Sequence, residues 1–401
     1  MNSTAAPKDK LWNINYWRVM IANFSMSFAF YILTPLLPLY LSEQFGAGKD
    51  MIGLVLSGYA ITALLVRPFS GYLADSFPRK RVLLISLFLY VICFGGYLIA
   101  GSLLLFAVVR TIHGGPFGAA TVANSTMAID VLPSSRRTEG IGFYGLSNNI
   151  ATAIAPTVSI VIYKYTHNFD IWFWLAFAVA AIGLWADSRI QIAVRQAIPD
   201  KKALSFDRFF LLKGWAIGAN MVFFGLCYGV LSNYLAIYGV EVMGITGGTG
   251  VFFMLLSIGL ILARLTGAKQ LREGKIDANA LQGVIYSTCG YLLFVACPNA
   301  IGYYGSALLI GWGNGHFWPA FQNMIINIAR KDERGTANST LLTSWDLGIG
   351  IGILLGGVLT ENIGYRFAFW TILGIHAVGA LFFILLTRPD YLRRHQTIAQ
   401  E

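Results

Sequence analysis

Polar residues in this chain come in short clusters separated by long apolar runs. In order, the runs occupy about 17–42, 51–74, 82–101, 104–130, 139–163, 170–187, 210–240, 250–268, 278–297, 300–328, 336–360 and 365–387. Each is long enough to cross a hydrocarbon core of about 30 Å at a helical rise of 1.5 Å per residue. The pattern predicts an all-α membrane protein with twelve transmembrane helices. A β-barrel would instead show alternation in segments of about ten residues, which these runs lack.

Composition agrees, and the charges orient the spans. Of 401 residues, 56% are hydrophobic and 12% charged, too apolar for a soluble domain whose surface must carry charge. The net charge of +10 follows position and does not require a nucleic-acid partner. If the N-terminus is cytoplasmic, the connections on that side hold about 23 of the 29 Lys and Arg, and those on the opposite side about three. This bias places both termini in the cytoplasm. The opening MNSTAAPKDK lacks the basic region, short apolar core and cleavage site of a secretory signal. Cys93, Cys227, Cys289 and Cys297 all lie in apolar runs with no framework spacing, so neither a disulfide scaffold nor a metal site is expected. A nucleotide-binding P-loop, an HExxH pair and an ordered Ser-His-Asp grouping are missing from the sequence. An enzyme, a cofactor and direct ATP drive are therefore not expected.

The longest polar connection, residues 188–209, falls near the middle and divides the chain into a first bundle (1–187) and a second (210–401). Sliding one over the other at a fixed offset brings Arg67 onto Arg264, Arg137 onto Arg334, Asn23 onto Asn220, Tyr31 onto Tyr228 and Gly114 onto Gly311. Arginines at matching depth in two apolar spans point to a duplication, and so to two six-helix bundles related by a pseudo-twofold axis.

Between the second and third runs stands RPFSGYLADSFPRKRVLL, residues 67–84. Its basic cluster anchors the turn on the cytoplasmic side. The stretch resembles the loop signature G-x-L-a-D-x-x-G-R-[KR] of the major facilitator superfamily. Gly71, Leu73, Asp75, Arg79 and Lys80 match it, and Pro78 replaces the pattern's glycine. VVRTIHGG in span four is similar to that family's l-x-x-x-R-x-x-q-G, with Arg110 and Gly114 matching and His113 at the glutamine. In span five AIAPTVS keeps Pro156 but has Ala155 where the drug:proton antiporter branch has glycine. The resemblance is to that twelve-span antiporter, or arabinose-efflux-permease-like, branch.

The resemblance implies a secondary active transporter working by alternating access, with the lipid bilayer, protons and a small molecule as its partners. Export of a small amphipathic or cationic molecule from the bacterial inner membrane, by a monomer, is the expected activity. Proton-coupled uptake of a sugar, nucleoside or other metabolite is the alternative within the class, and a transport-inactive sensor or scaffold the alternative outside it. Gly71, Asp75, Arg79 and Lys80, together with Arg334 at the start of span eleven, form the implied cytoplasmic latch.

Ionisable groups inside spans are costly and count as functional candidates. Asp346 lies about 18 Å up span eleven from Arg334 by helical rise, near mid-membrane. It is the expected proton carrier, and a fixed pair with Arg264 or Arg110 is the competing reading. The resemblance in span four implies a part in proton coupling for Arg110, with His113 at the signature's glutamine position. Phe117 and Asn124 follow His113 at helical spacing. With Asn23, Tyr31, Asn149, His316 and Trp345 they make the expected cavity lining. His316 has two readings, a wet titrating group or a buried neutral one.

Overall fold

Apolar runs of this length cannot leave backbone N–H and C=O groups unpaired in lipid, so helix is the available spanning structure. The computed structural model describes residues 10–192, 208–246 and 248–400. Among them the long elements are α1 (Ile14–Leu33), α2 (Leu37–Phe45), α3 (Lys49–Ser76), α4 (Arg79–Leu98), α5 (Leu103–Val131), α6 (Arg137–Thr166) and α7 (Asp170–Ser188). They continue with α8 (Trp215–Met243), α9 (Thr249–Arg272), α10 (Ile276–Ala296), α11 (Ala300–Ile328), α12 (Arg334–Phe382) and α13 (Arg388–Gln400). The described residues contain no strand. Residues 193–207 of the expected central linker lie outside the described residues.

Two departures from one helix per run have local causes. The first span breaks at Thr34–Leu36 into α1 and α2, bent by 45°, with Pro38 in the first turn of α2. Proline has no N–H and clashes with the preceding turn, so the helix restarts where the missing donor is harmless. Conversely α12 carries two spans on one continuous element. Gly364, with φ 75° and ψ 163°, separates them. That backbone region is essentially restricted to glycine.

The first compact unit comprises residues 1–62, 77–198 and 272–274, and the second 63–76, 199–271 and 275–401. In the first, α1 packs on α6 and α7, and α4 on α5 and α7. Its core stacks Tyr40, Tyr97, Phe106 and Phe173. In the second, α8 lies along α12 and α10 along α11. Gly225 on α8 faces Gly348 on α12, and small residues of this kind let helices approach where lipid provides no hydrophobic drive.

Replacing Gly364 with valine should destabilise the fold by about 1–3 kcal/mol, since a β-branched residue cannot adopt that conformation. Gly350→Ala, in a helical position with nothing within 4 Å of an added methyl, should be neutral or stabilising by up to about 1 kcal/mol. Thermal unfolding in detergent checks the pair; equal midpoints would show that the break is not strained.

Candidate functional site: buried charges of the spans

The first N–H groups of any helix lack intrahelical acceptors, and the helix dipole places partial positive charge there. At the start of α12 those donors meet Asp75 from the end of α3. Gly335 N–H donates to Oδ1 at 2.9 Å, Thr336 N–H to Oδ2 at 2.8 Å, and the Thr336 hydroxyl to Oδ2 at 3.0 Å. Each charge-assisted bond is worth about 1.5–3 kcal/mol. One turn earlier Gly71 permits the contact: a methyl added there would lie 2.6 Å from Ser339 Cβ and 2.8 Å from Gly335 O. Phe209 adds a ring contact with Phe69, and the Arg208 guanidinium lies 5.1 Å from the Tyr72 ring centre.

The basic half of the loop goes elsewhere. Arg79, 5% exposed, pairs with Asp130 at the end of α5 at 2.5 Å. Lys80 Nζ donates to Ile190 O at 2.7 Å. The structure thus brings Gly71 and Asp75 to the segment that Arg334 opens, and brings Arg79 and Lys80 to partners in the first unit. Glu333, which caps α12, is opposed by burial yet held below the ordinary carboxylate range. Hydrogen bonds from Lys213 Nζ and Arg330 N–H, and the charges of both side chains, outweigh the burial.

Deeper along the same contact, Arg67 and Asp346 form an ion pair. Arg67 Nη1 also donates to Leu342 O at 3.2 Å, and the Ser339 hydroxyl donates to Arg67 O at 2.6 Å. The partner of Asp346 is therefore Arg67, not the Arg264 or Arg110 weighed from the sequence. The arginine side chain is 7% exposed and the aspartate 29%, so the acid is the less enclosed of the two. Beside them Trp345 stacks on Tyr228 and meets Trp318 edge-on, with ring centres 5.6 and 4.9 Å apart.

In the first unit Arg110 projects from α5 into aromatic rings. Its guanidinium carbon lies 4.1 Å from the Tyr59 ring centre and 5.9 Å from that of Phe30, and Nη1 donates to Tyr97 Oη at 3.2 Å. Tyr97 Oη is also 2.7 Å from His113 Nδ1. A desolvated cation–π contact is worth about 2 kcal/mol, against several kcal/mol for desolvating an ion. No carboxylate among the described residues pairs with Arg110. Phe117 stacks on Phe30 at 5.0 Å, and Tyr31 meets Phe30 edge-on at 5.0 Å.

A second polar group joins α1, α5, α6 and α7 of this unit. Tyr144 Oη lies 2.9 Å from Asn23 Oδ1 and 2.6 Å from Asn124 Oδ1. Asn23 donates to Ser147 Oγ at 2.7 Å, and Asn124 to Asp187 Oδ2 at 2.9 Å. Asn124 and Asp187 are fully buried. Sequence reasoning missed Asp187; the available signal was an acid just inside the end of an apolar run. Asn149 is half-buried with its Nδ2 enclosed and unbonded among the described residues. His316 is fixed on both sides: Trp312 Nε1–H donates to Nε2 at 2.9 Å, and Nδ1 lies 2.5 Å from Asn279 Oδ1. This is a neutral ring protonated at Nδ1, the buried alternative of the two.

Paired charges in the spans, a carboxylate capping a helix start and helix-packing glycines suit a molecule that rearranges within the bilayer. The Major Facilitator Superfamily model matches residues 19–299 and 280–401. The chain belongs to the Major Facilitator Superfamily. It is thus a multi-pass membrane protein of a transporter family, with a small molecule as its cargo. The staphylopine export protein of Staphylococcus aureus is 24% identical over 371 residues, 89% of this chain and 92% of that protein. The quinolone resistance protein NorA of Staphylococcus aureus is 26% identical over 353 residues, 82% of this chain and 86% of that protein. The human organic anion transporter MFSD10 (TETRAN) shares the fold, with a TM-score of 0.81 at 16% identity over 92% of this chain and 98% of that one.

Spin labels at positions 76 and 332, on a background without native cysteines, report the contact between α3 and the start of α12. Asp75→Ala and Gly71→Leu should each shift the distance distribution to longer values. Unchanged distributions in both would show that the contact is incidental.

Proposed function

We propose that this superfamily member is a proton-driven exporter of a small amphipathic organic molecule. It acts as a monomer in the bacterial inner membrane with both termini in the cytoplasm. Similarity along most of the chain to an export protein and to a resistance protein supports the outward direction.

The observation that carries proton coupling is the Arg67–Asp346 pair. Arginine stays charged at any physiological pH, so the aspartate is the half that can change state. While ionised it balances Arg67. A proton on Asp346 leaves the guanidinium buried and unbalanced, a state costing about 3–5 kcal/mol where a buried pair is broken. Protonation therefore weakens the hold of residues 63–76 on α12, and loss of the proton restores it.

Asp75 acts in series with this switch. Its acceptor bonds to Gly335 and Thr336 cost little to re-form, because their geometry is set by the helix start. In this reading Asp346 reports the proton, Asp75 and Gly71 re-close the contact, and Arg79 and Lys80 hold the loop to the first unit. Tyr31, Asn149, Phe117 and Trp345 supply polar and aromatic surface for the cargo, while Asn23 is held in the Tyr144 group. Arg110 and His113, linked through Tyr97, belong with the cargo and not with the proton step, because no acid pairs with them.

Cells making the protein should retain at least tenfold less of some small organic compound than cells making equal membrane amounts of Asp346→Asn, and a protonophore should abolish the difference. Untargeted comparison of cell contents measures this. Equal retention with Asp346→Asn would refute the coupling role. Arg67→Ala should lower the unfolding midpoint, and Arg67→Ala with Asp346→Ala should recover part of the loss, since the double change removes the unbalanced charge.

A further inference from the structure

Arg110 is a buried arginine outside the proposed proton step, and its surroundings define what it lacks. It is 5% exposed. Among the acids of the first unit, Asp130 pairs with Arg79, Glu139 with Arg136 and Glu43 with the Tyr163 hydroxyl, and Asp170 is exposed at the start of α7. Asp187, also buried, is bonded to Asn124. From Arg110 to Asn124 is a rise of about 21 Å along α5, too far for the two charges to balance each other. The neighbouring α1 and α4 contain no acidic residue at all.

Guanidinium geometry narrows the missing partner. Nη1 is used by Tyr97 Oη, and one face is stacked on Tyr59. Nε is enclosed and has no hydrogen-bond acceptor among the described residues. The Nε–Nη2 edge is therefore the unused one, and it is an edge by which arginine grips a planar carboxylate through two parallel bonds. One turn further along α5, His113 Nδ1 faces the same Tyr97 Oη. The rings around the guanidinium differ in exposure. Tyr59 and Tyr97 are buried, whereas Phe30 and Phe117 are half-buried and stacked on each other. Access to the unused edge runs past those two phenylalanines.

We propose that Arg110 is a carboxylate-recognition residue and that the cargo is an organic anion with an apolar or aromatic body. Its carboxylate seats on the Nε–Nη2 edge and its body against Phe30 and Phe117. This deepens the export reading by naming the cargo's charge, and it rests on that reading only for the statement that the bound anion is cargo. Nε is enclosed in the present conformation, so loading displaces the Phe30–Phe117 pair, the sort of local opening that alternating access provides.

The test is binding by the purified full-length protein in detergent, with no gradient, so it stands apart from any failure of proton-driven export. Indole-3-acetate and indole-3-acetamide share one body and differ in charge. Indole-3-acetate should raise the unfolding midpoint saturably, and the amide should leave it unchanged at equal concentration. Arg110→Gln should unfold at the same or a higher temperature than wild type without ligand, because a buried unbalanced charge is removed, and should lose the response to indole-3-acetate. Arg110→Lys keeps the charge without the fork and should weaken the response at least tenfold in concentration. The proposal is overturned if indole-3-acetate leaves the wild type unmoved, if acid and amide act equally, or if Arg110→Gln retains the response. It is equally overturned if Arg110→Gln is markedly less stable without ligand, since that would make the arginine a packing element.

Discussion

A charge inside a bilayer has to be answered by another charge or by oriented dipoles, and this constraint organises the inner half of the protein. Arg67 is answered by Asp346, and Asp75 by the first N–H groups of α12. Both contacts join the last turns of α3 to the same face of α12, and Gly71 between them keeps the backbones close enough for both. One contact contains a group that a proton neutralises. The other is a geometric socket that re-forms without chemistry. In the proposed cycle they form a joint that is firm while Asp346 is ionised and loose when it carries a proton, the bistability that alternating access requires.

Much of this was readable in the chain, and for a physical reason. Lipid permits so few spanning structures that apolar run length alone predicts the helices, and the described helices follow the runs closely. The break in the first span sits at Pro38, whose missing N–H suits the first turn of a helix. The contact of Asp75 with residues after Arg334 follows from the loop signature that Gly71 and Asp75 match. Which arginine faces Asp346 was not readable, because it depends on how α3 and α12 are rotated against each other. Arg67 is 279 residues away in sequence, and no periodicity encodes that pairing.

Polar residues misled for the opposite reason. Helical spacing put His113, Phe117 and Asn124 on one stripe, but spacing cannot say whether a stripe faces water or another helix. Asn124 proves to be a fully buried partner of Asp187, and His316 is held between Trp312 and Asn279. Satisfied in this way, such groups specify how helices dock and do not serve as free donors. Arg110 is the exception: its aromatic surroundings stabilise a cation only in part, and the proposal above gives its unused edge to a carboxylate.

The central claim is that a proton on Asp346 loosens the joint between α3 and α12. Its most direct test is infrared difference spectroscopy of the Asp346 carboxyl, identified by its loss in Asp346→Asn, recorded alongside the distance between labels at positions 76 and 332 during one pH titration. The account predicts that the protonated-carboxyl band and the longer distance rise together. A joint that opens while the carboxyl stays ionised, or a carboxyl that protonates while the distance stays fixed, would contradict it.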